Sequence, residues 1–399
     1  MFGLQHLIAP LSVEDFIGTF WGRQAVYIPG GADKFKDLFG WPEVNSYLNG
    51  ARPNYDGFRL VHEKNPLPPA SFERIDDWLR KGATLVINQV QMIDAAMKQF
   101  NEMLGADLNT PINTNCYVSC PAKQGFDNHF DEHCVFIVQT EGRKAWKVFR
   151  PTLTYPLHAQ SLTDKGKPPD VDPYIECVMN PGDVLFIPRG HWHYAIAESP
   201  SVHLTVGVTS RTGAEFLGWL SAQLMNSVEF FRQDFPIAAS ATFNGPVPSA
   251  SLQAHLDEFR QRMTDLLKED ALMESLVRYC MSGNPVRRNR RLPEDWMLAE
   301  RITPDTVFEI PPAQKALVRY DAEKEFAVVH VRGHMLQLNG IPEGLMPIFE
   351  TAGVSLSGQA LLEMCPSFDW ARLRPLLLQL CQHGLLEVSE SDRTLVGAV

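Results

Sequence analysis

Between residues 112 and 208 the chain is a succession of short apolar runs broken by Pro and Gly, and this texture limits the possible folds more than any other feature. INTNCYVSC, EHCVFIVQT, AWKVF, VDPYIECVM, DVLFIP and SVHLTVGV follow one another with turn formers between them. Each run is too short for a stable helix and has the length of a strand. Many short strands in sequence close into a sandwich or barrel. The expected fold is therefore mainly β at its core, with the β texture ending near Ser210.

The flanks read differently. Ser12 with Asp15 predicts a helix start, and Glu43 to Asn49 predicts a further helical turn. Residues 71–81 and 90–105 carry apolar residues at helical spacing, as do 213–235 and 250–282. In the last two, Phe216, Leu217, Leu220, Leu224, Val228 and Phe231 form one stripe, and Leu256, Phe259, Met263, Leu266 and Leu267 another. Apolar stripes outside a barrel need a partner surface, so this segment is expected to pair two copies of the chain as a homodimer. An arginine run follows (Arg287, Arg288, Arg290, Arg291), read as a solvated linker or an RNA contact. The last hundred residues alternate short strands with helices, as a small α+β module of winged-helix type would. The expected domains are 1–210, 211–290 and 291–399.

Composition excludes some classes. The formal charge of −11 argues against nucleic-acid binding by the whole surface. No apolar run approaches the roughly 18 residues that span a bilayer, and the first residues show no signal-peptide pattern. Seven scattered cysteines (Cys116, Cys120, Cys134, Cys177, Cys280, Cys365 and Cys381) suggest reduced thiols and a cytoplasmic setting.

The chemistry sits in the β region. His129-Phe130-Asp131 places an imidazole and a carboxylate two residues apart, on one face of a strand. Two His and one carboxylate with open positions suit a non-haem Fe(II) centre. Gly182-x5-Pro188-x-Gly190-x2-His193 is a strand between two turns, with a histidine where the next strand starts. His133 shares parity with His129 and Asp131, and His191 lies two before His193, so either could be a ligand or a supporting group. Lys144 shares a strand face with Trp146 and Val148; a buried ammonium there calls for an anion. His203 faces the same side as Thr205, as a pocket-lining or a core histidine.

The glycine-proline-histidine spacing resembles the second cupin motif. More of the pattern joins it: Asn115-Cys-Tyr117-Val-Ser119, Gln124-Gly125, His129-Phe-Asp131, then Val135 through Gln139 to Glu141-Gly142-Arg-Lys144-Ala-Trp146. Together these residues resemble the JmjC-type ribosomal oxygenases, cupin-like protein hydroxylases dependent on Fe(II) and 2-oxoglutarate. The resemblance implies a double-stranded β-helix of cupin (jelly-roll) and JmjC type, with flanking helices, a helical dimerisation segment and a winged-helix-like C-terminal domain. It implies that His129, Asp131 and His193 bind iron. Lys144 would hold the far carboxylate of 2-oxoglutarate, with Asn115 beside the cosubstrate and His203 a third cosubstrate candidate. O₂ is the oxidant, and the substrate is a protein or peptide, with ribosomal protein the family's example. The position four residues after His193, where cupins carry Asn, is Ala197. Competing readings are an oxygenase acting on a small molecule or biosynthetic peptide, and a non-catalytic cupin binding protein.

Overall fold

A computed structural model of the chain describes residues 3–50, 57–63, 65–121, 127–158, 160, 166–209, 211–236, 239–242, 245–269, 272, 275–276, 279, 294–311, 316–331 and 334–389. Gln124, Gly125, Cys280 and the arginine run 287–291 lie outside these residues.

Eleven strands precede residue 210 among the described residues: β1 (Val26–Ile28), β2 (Phe58–His62), β3 (Asn65–Pro66), β4 (Thr84–Ile87), β5 (Ile112–Ser119), β6 (Cys134–Glu141), β7 (Lys144–Phe149), β8 (Ile175–Met179), β9 (Val184–Ile187), β10 (Trp192–Ala197) and β11 (Ser201–Val208). They form one sheet in the order β1-β9-β6-β11-β5-β4-β2-β3 and a second in the order β10-β7-β8. All pairings are antiparallel. Val135 and Ile137 of β6 and Leu185 and Ile187 of β9 meet Trp146 and Val148 of β7 and Met179 of β8 in one buried cluster. The two sheets therefore pack face to face, as the double-stranded β-helix requires.

The other face of the large sheet is covered by helices. Phe136, Val138, Phe186, Leu204 and Val206 share a core with Leu7, Phe16, Phe100 and Leu104. Phe16 packs edge-on against Phe186 with ring centroids 4.9 Å apart, and Trp21 stacks on the same ring at 5.6 Å. Burial on both faces explains why VFIV in β6 and VLFI in β9 read as unbroken apolar runs rather than alternating ones.

The helix Val13–Thr19 starts where expected, with the Ser12 side chain accepting from the Asp15 N–H. Glu43 to Asn49 lies within the helix Trp41–Gly50, as expected, whereas two other N-terminal stretches need adjustment. Residues 71–81 are a 3₁₀ turn (Pro69–Arg74) followed by a helix (Ile75–Arg80). The stretch 90–105 breaks at Asp94: a 3₁₀ turn (Val90–Met92) precedes a helix (Ala95–Leu108). Asp94 accepts from the Met97 N–H at 2.8 Å, so it caps the helix instead of lying within it. The strands β1, β2 and β4 are additions to the sequence reading. Four fully buried residues such as Thr84–Ile87 carry no periodicity that separates strand from helix.

The chain divides into two compact units by packing rather than by sequence order. The first joins residues 1–210 with 286–314 and 351–399; the second joins 211–285 with 315–350. In the second unit a helix (Gly213–Ser227) opens on a capping box between Thr212 and Glu215, and another (Ala250–Leu266) on Ser249. A three-stranded meander of residues 316–321, 326–331 and 334–339 belongs to the same unit. Residues 307–309, 355–357 and 387–388 form a small sheet in the first unit, near helices Gly358–Glu363 and Trp370–Gln382 in sequence. No helix among the described residues is long and apolar enough to cross a membrane.

The turn before β9 ties barrel to N-terminal segment. The buried Asp183 carboxylate accepts from the Tyr27 hydroxyl at 2.8 Å, the Gly30 N–H at 2.7 Å and the Asn180 N–H at 2.8 Å. Gly182 has φ +95°, and a Cβ there would lie 2.0 Å from the Gly31 carbonyl oxygen. Gly182→Ala must therefore open this junction; a loss of about 1–3 kcal/mol from the left-handed backbone alone is expected, read as a lowered thermal unfolding midpoint by near-UV circular dichroism.

Candidate active site

Strand alternation builds the inner wall. Along β5, Thr114, Cys116 and Val118 are buried away from the cavity, while Asn113, Asn115, Tyr117 and Ser119 line it. β11 pairs with β5 so that Ser201 meets Ser119, His203 meets Tyr117, Thr205 meets Asn115 and Gly207 meets Asn113. From the facing sheet, Lys144 and Trp146 of β7 and His193, Ala195 and Ala197 of β10 point into the same space. The cavity is about 240 Å³, roughly the liquid volume of eight waters.

His129 and Asp131 are not in a regular strand. They are held by the backbone. His129 exchanges two hydrogen bonds with His193, N–H to carbonyl at 3.1 and 2.7 Å, and the Gly190 N–H donates to the Asp131 carbonyl at 2.8 Å. Alternation survives in this short stretch. Phe130 turns the opposite way and is buried with Phe149 and Trp192, while His129 and Asp131 face the cavity.

The result is a compact cluster: one ligand-type atom from each of His129, Asp131 and His193, all within 4.8 Å of one another. One cation fits among them. The tautomers suit it. Nδ1 of His129 lies 2.7 Å from the Asp127 carbonyl, and Nδ1 of His193 lies 3.0 Å from the His191 carbonyl. A carbonyl only accepts, so each Nδ1 carries the proton and each Nε2 keeps its lone pair for a metal. Burial, then the neighbouring His129, push His193 down to about 4, so at neutral pH it is the uncharged ligand form.

The alternative histidines lie differently. His191 turns away from the cavity: its Nδ1 accepts from the Tyr174 hydroxyl at 2.6 Å, and burial followed by Arg150 lowers its pKa to about 4. Tyr174 in turn accepts from the Ala25 N–H. His133 lines the cavity but is outside the three-residue cluster.

Lys144 is the other singular group. It is buried, with Nζ 3.0 Å from Ser119 Oγ and 3.4 Å from His203 Nδ1. Among the described residues no carboxylate pairs with it. Burial lowers its pKa to about 7 and, with Lys144 beside it, drives that of His203 well below the usual imidazole value. The strand-face expectation for Lys144 holds in the geometry. Asn115 reaches the cavity with its Oδ1 accepting from the Gln89 N–H at 2.9 Å. His203 is packed between Tyr117, parallel at 5.0 Å, and Trp146, edge-on at 5.4 Å. Tyr117 and Ser119 were given no role by sequence reasoning; alternation from Asn115 along β5 would have placed both on its face.

Comparison with known proteins now adds the family. A model described as "JmjC domain" matches residues 86–216, which include the three-residue cluster together with Lys144, Ser119 and His203. This part of the chain is similar to JmjC domains. The chain is 28% identical over 246 residues to human ribosomal oxygenase 1, an alignment covering 57% of this chain and 38% of that protein. It is also 28% identical over 224 residues to the bifunctional lysine-specific demethylase and histidyl-hydroxylase NO66 of Drosophila persimilis, covering 51% and 31%. The chain thus spans well under half the length of these curated relatives. Among solved structures, Escherichia coli ribosomal oxygenase YcfD superposes with TM-score 0.61 at 17% identity, covering 95% of this chain and 98% of that one. YcfD in complex with cobalt and 2-oxoglutarate gives TM-score 0.59 over 95% and 99%. At this identity the likeness establishes the cupin fold of the JmjC domain.

If the cluster is a metal centre, His129→Ala, Asp131→Ala and His193→Ala each lose stoichiometric divalent metal while His191→Ala keeps it. Cobalt titration of the four folded variants, followed by absorption, checks this; retention by His193→Ala with loss by His191→Ala would reverse the assignment.

Proposed function

We propose that the chain is an Fe(II)- and 2-oxoglutarate-dependent oxygenase that hydroxylates an amino-acid side chain of a protein, a ribosomal protein in particular. The observation that carries this reading is the polarity of one cavity: a cluster of three metal-type ligands at its middle and, at its deep end, a buried ammonium without an acid partner among the described residues. A diacid that chelates a metal through one end and needs a cation at the other matches both. The relatives are named ribosomal oxygenases and a histidyl-hydroxylase, and YcfD is described in complexes with cobalt and 2-oxoglutarate or succinic acid.

In this reading His129, Asp131 and His193 hold the iron. Iron with 2-oxoglutarate and O₂ supplies oxidation of an unactivated C–H bond, with succinate and CO₂ as coproducts. The protein's own part is placement. Lys144 and Ser119 receive the far carboxylate through charge-assisted hydrogen bonds. His203, neutral at working pH, accepts from Lys144 and keeps its ammonium aimed into the pocket. Asn115, pinned by the Gln89 N–H, flanks the cosubstrate. Tyr117 and Trp146 wall the space and exclude water. No general base is required.

Two copies of the chain would associate through residues 213–282. Leu217, Met225, Phe235, Phe259 and Leu267 of this segment are exposed, which supports a further apolar contact. Light scattering at micromolar concentration is expected to give twice the chain mass, and a monomer would contradict it.

The Lys144 assignment has a pH signature. Its pKa of about 7 means the ammonium is fully charged only below that pH. A bound carboxylate favours the charged form, so binding above pH 7 must take up a proton. Affinity for 2-oxoglutarate should hence be level with respect to this group below about pH 7 and weaken as pH rises through it. Lys144→Ala should raise the 2-oxoglutarate KM roughly tenfold or more, since a hydrogen bond to a charged group contributes about 1.5–3 kcal/mol, and should flatten that pH dependence. Succinate formation by the metal-saturated protein, run beside mass spectrometry of host ribosomal proteins for single-oxygen shifts, tests both claims. No succinate above a metal-free control would overturn the proposed activity.

A further inference from the structure

The cavity has three levels, and the outermost has no task in the account above. Lys144, Ser119 and His203 form the deep end, and His129, Asp131 and His193 the middle. The β5–β11 register then runs outward from Tyr117 opposite His203 to Asn113 opposite Gly207. Asn113 and Gly207 therefore stand at the end remote from Lys144, and His133 lies against them. A Cβ built on Gly207 would be 3.4 Å from His133 Nε2 and 3.3 Å from the Asn113 carbonyl oxygen. His133 lines the same cavity as the metal-type cluster without joining it. Its Nδ1 is shielded from solvent and has no hydrogen-bond partner among the described residues. Buried polar atoms in folded proteins are nearly always paired, and an unpaired one calls for an explanation.

We propose that His133 orients the side chain to be hydroxylated, by hydrogen bonding to a polar group (an amide, hydroxyl or imidazole) carried close to the reacting C–H. This rests on the oxygenase reading above. Gly207 is the counterpart: with no side chain on β11 at this point, the imidazole can lie against the strand and still leave the mouth open. A site with a shielded hydrogen-bonding group discriminates strongly against an analogue that lacks the matching group, because its own group then stays unpaired. Purely aliphatic side chains would accordingly be poor substrates even where they fit. His133 is thus a positioning residue for the substrate, separate from the groups that hold metal and diacid.

The test uses the full chain and its His133→Leu, His133→Gln and Gly207→Ala variants. Each is incubated with Fe(II), 2-oxoglutarate and salt-washed host ribosomes, and single-oxygen mass shifts are quantified. Cobalt stoichiometry and the 2-oxoglutarate KM for substrate-free succinate formation are measured on the same preparations. His133→Leu should lower ribosomal-protein hydroxylation roughly tenfold or more, with metal stoichiometry and 2-oxoglutarate KM unchanged. His133→Gln, which keeps a hydrogen-bonding group, should recover part of it. Gly207→Ala, whose Cβ would meet the imidazole only at van der Waals distance (3.4 Å to Nε2), should stay close to wild type. Undiminished hydroxylation in His133→Leu would overturn the inference, and so would loss of metal or weakened 2-oxoglutarate use in that variant. A wild type that leaves ribosomal proteins unmodified while it forms succinate removes the substrate reading and the inference with it. That outcome is distinct because it appears without any mutation.

Discussion

Two backbone hydrogen bonds between His129 and His193 draw the site together. His129 is held by an isolated bridge outside the named strands, and His193 stands near the start of β10. The bridge, with the Gly190 N–H on the Asp131 carbonyl, lays the His-Phe-Asp segment beside the strand that carries His193. Each such bond contributes only about 0.5–1.5 kcal/mol net. Their value is geometric, because they set the spacing of three side chains that no local sequence rule could bring together. Phe130, buried with Phe149 and Trp192, anchors the segment from its other side.

The large sheet has a divided character that follows from its surroundings. Its outer face is apolar and sealed by helices, with Phe16, Trp21 and Phe186 in mutual ring contact. Near β5 and β11 its inner face is polar: Asn113, Asn115, Ser119, His203 and Thr205. Burying Lys144 there is unfavourable, as its depressed pKa records. The packed outer face offsets such costs, so that a polar inner surface with a buried cation can persist. Neutral groups, Ser119 and His203, keep company with Lys144 there, which leaves its charge available to the diacid proposed above.

Much of this was legible in the sequence, for a physical reason. Strand period two puts His129 and Asp131 on one face and Lys144 with Trp146 and Val148 on another, and the family pattern, more than parity, singled these residues out as candidates. The glycine-proline-glycine turns around β9 marked His193. Parity could not choose between His191 and His193, which share it. His191 precedes the start of β10, where alternation no longer governs, and its Tyr174 partner comes from a different part of the chain. Ser119 and Tyr117 stood in the family pattern without a role of their own, because Ser and Tyr on a strand carry no signal until the face is known. The strand Thr84–Ile87 was hidden by complete burial, and the grouping of residues 315–350 with 211–285 reflects packing that sequence order does not reveal.

The central claim is that a single small diacid bridges the His129–Asp131–His193 cluster and Lys144. A crystal structure of the protein with Mn(II) and 2-oxoglutarate under anaerobic conditions tests it most directly. The account predicts one metal on those three side chains, chelated by the keto-acid end, with the far carboxylate in hydrogen-bonding reach of Lys144 Nζ and Ser119 Oγ. Metal bound through His191 or His133 in place of His193, or a 2-oxoglutarate whose far carboxylate points toward Asn113 and Gly207 instead of Lys144, would contradict it.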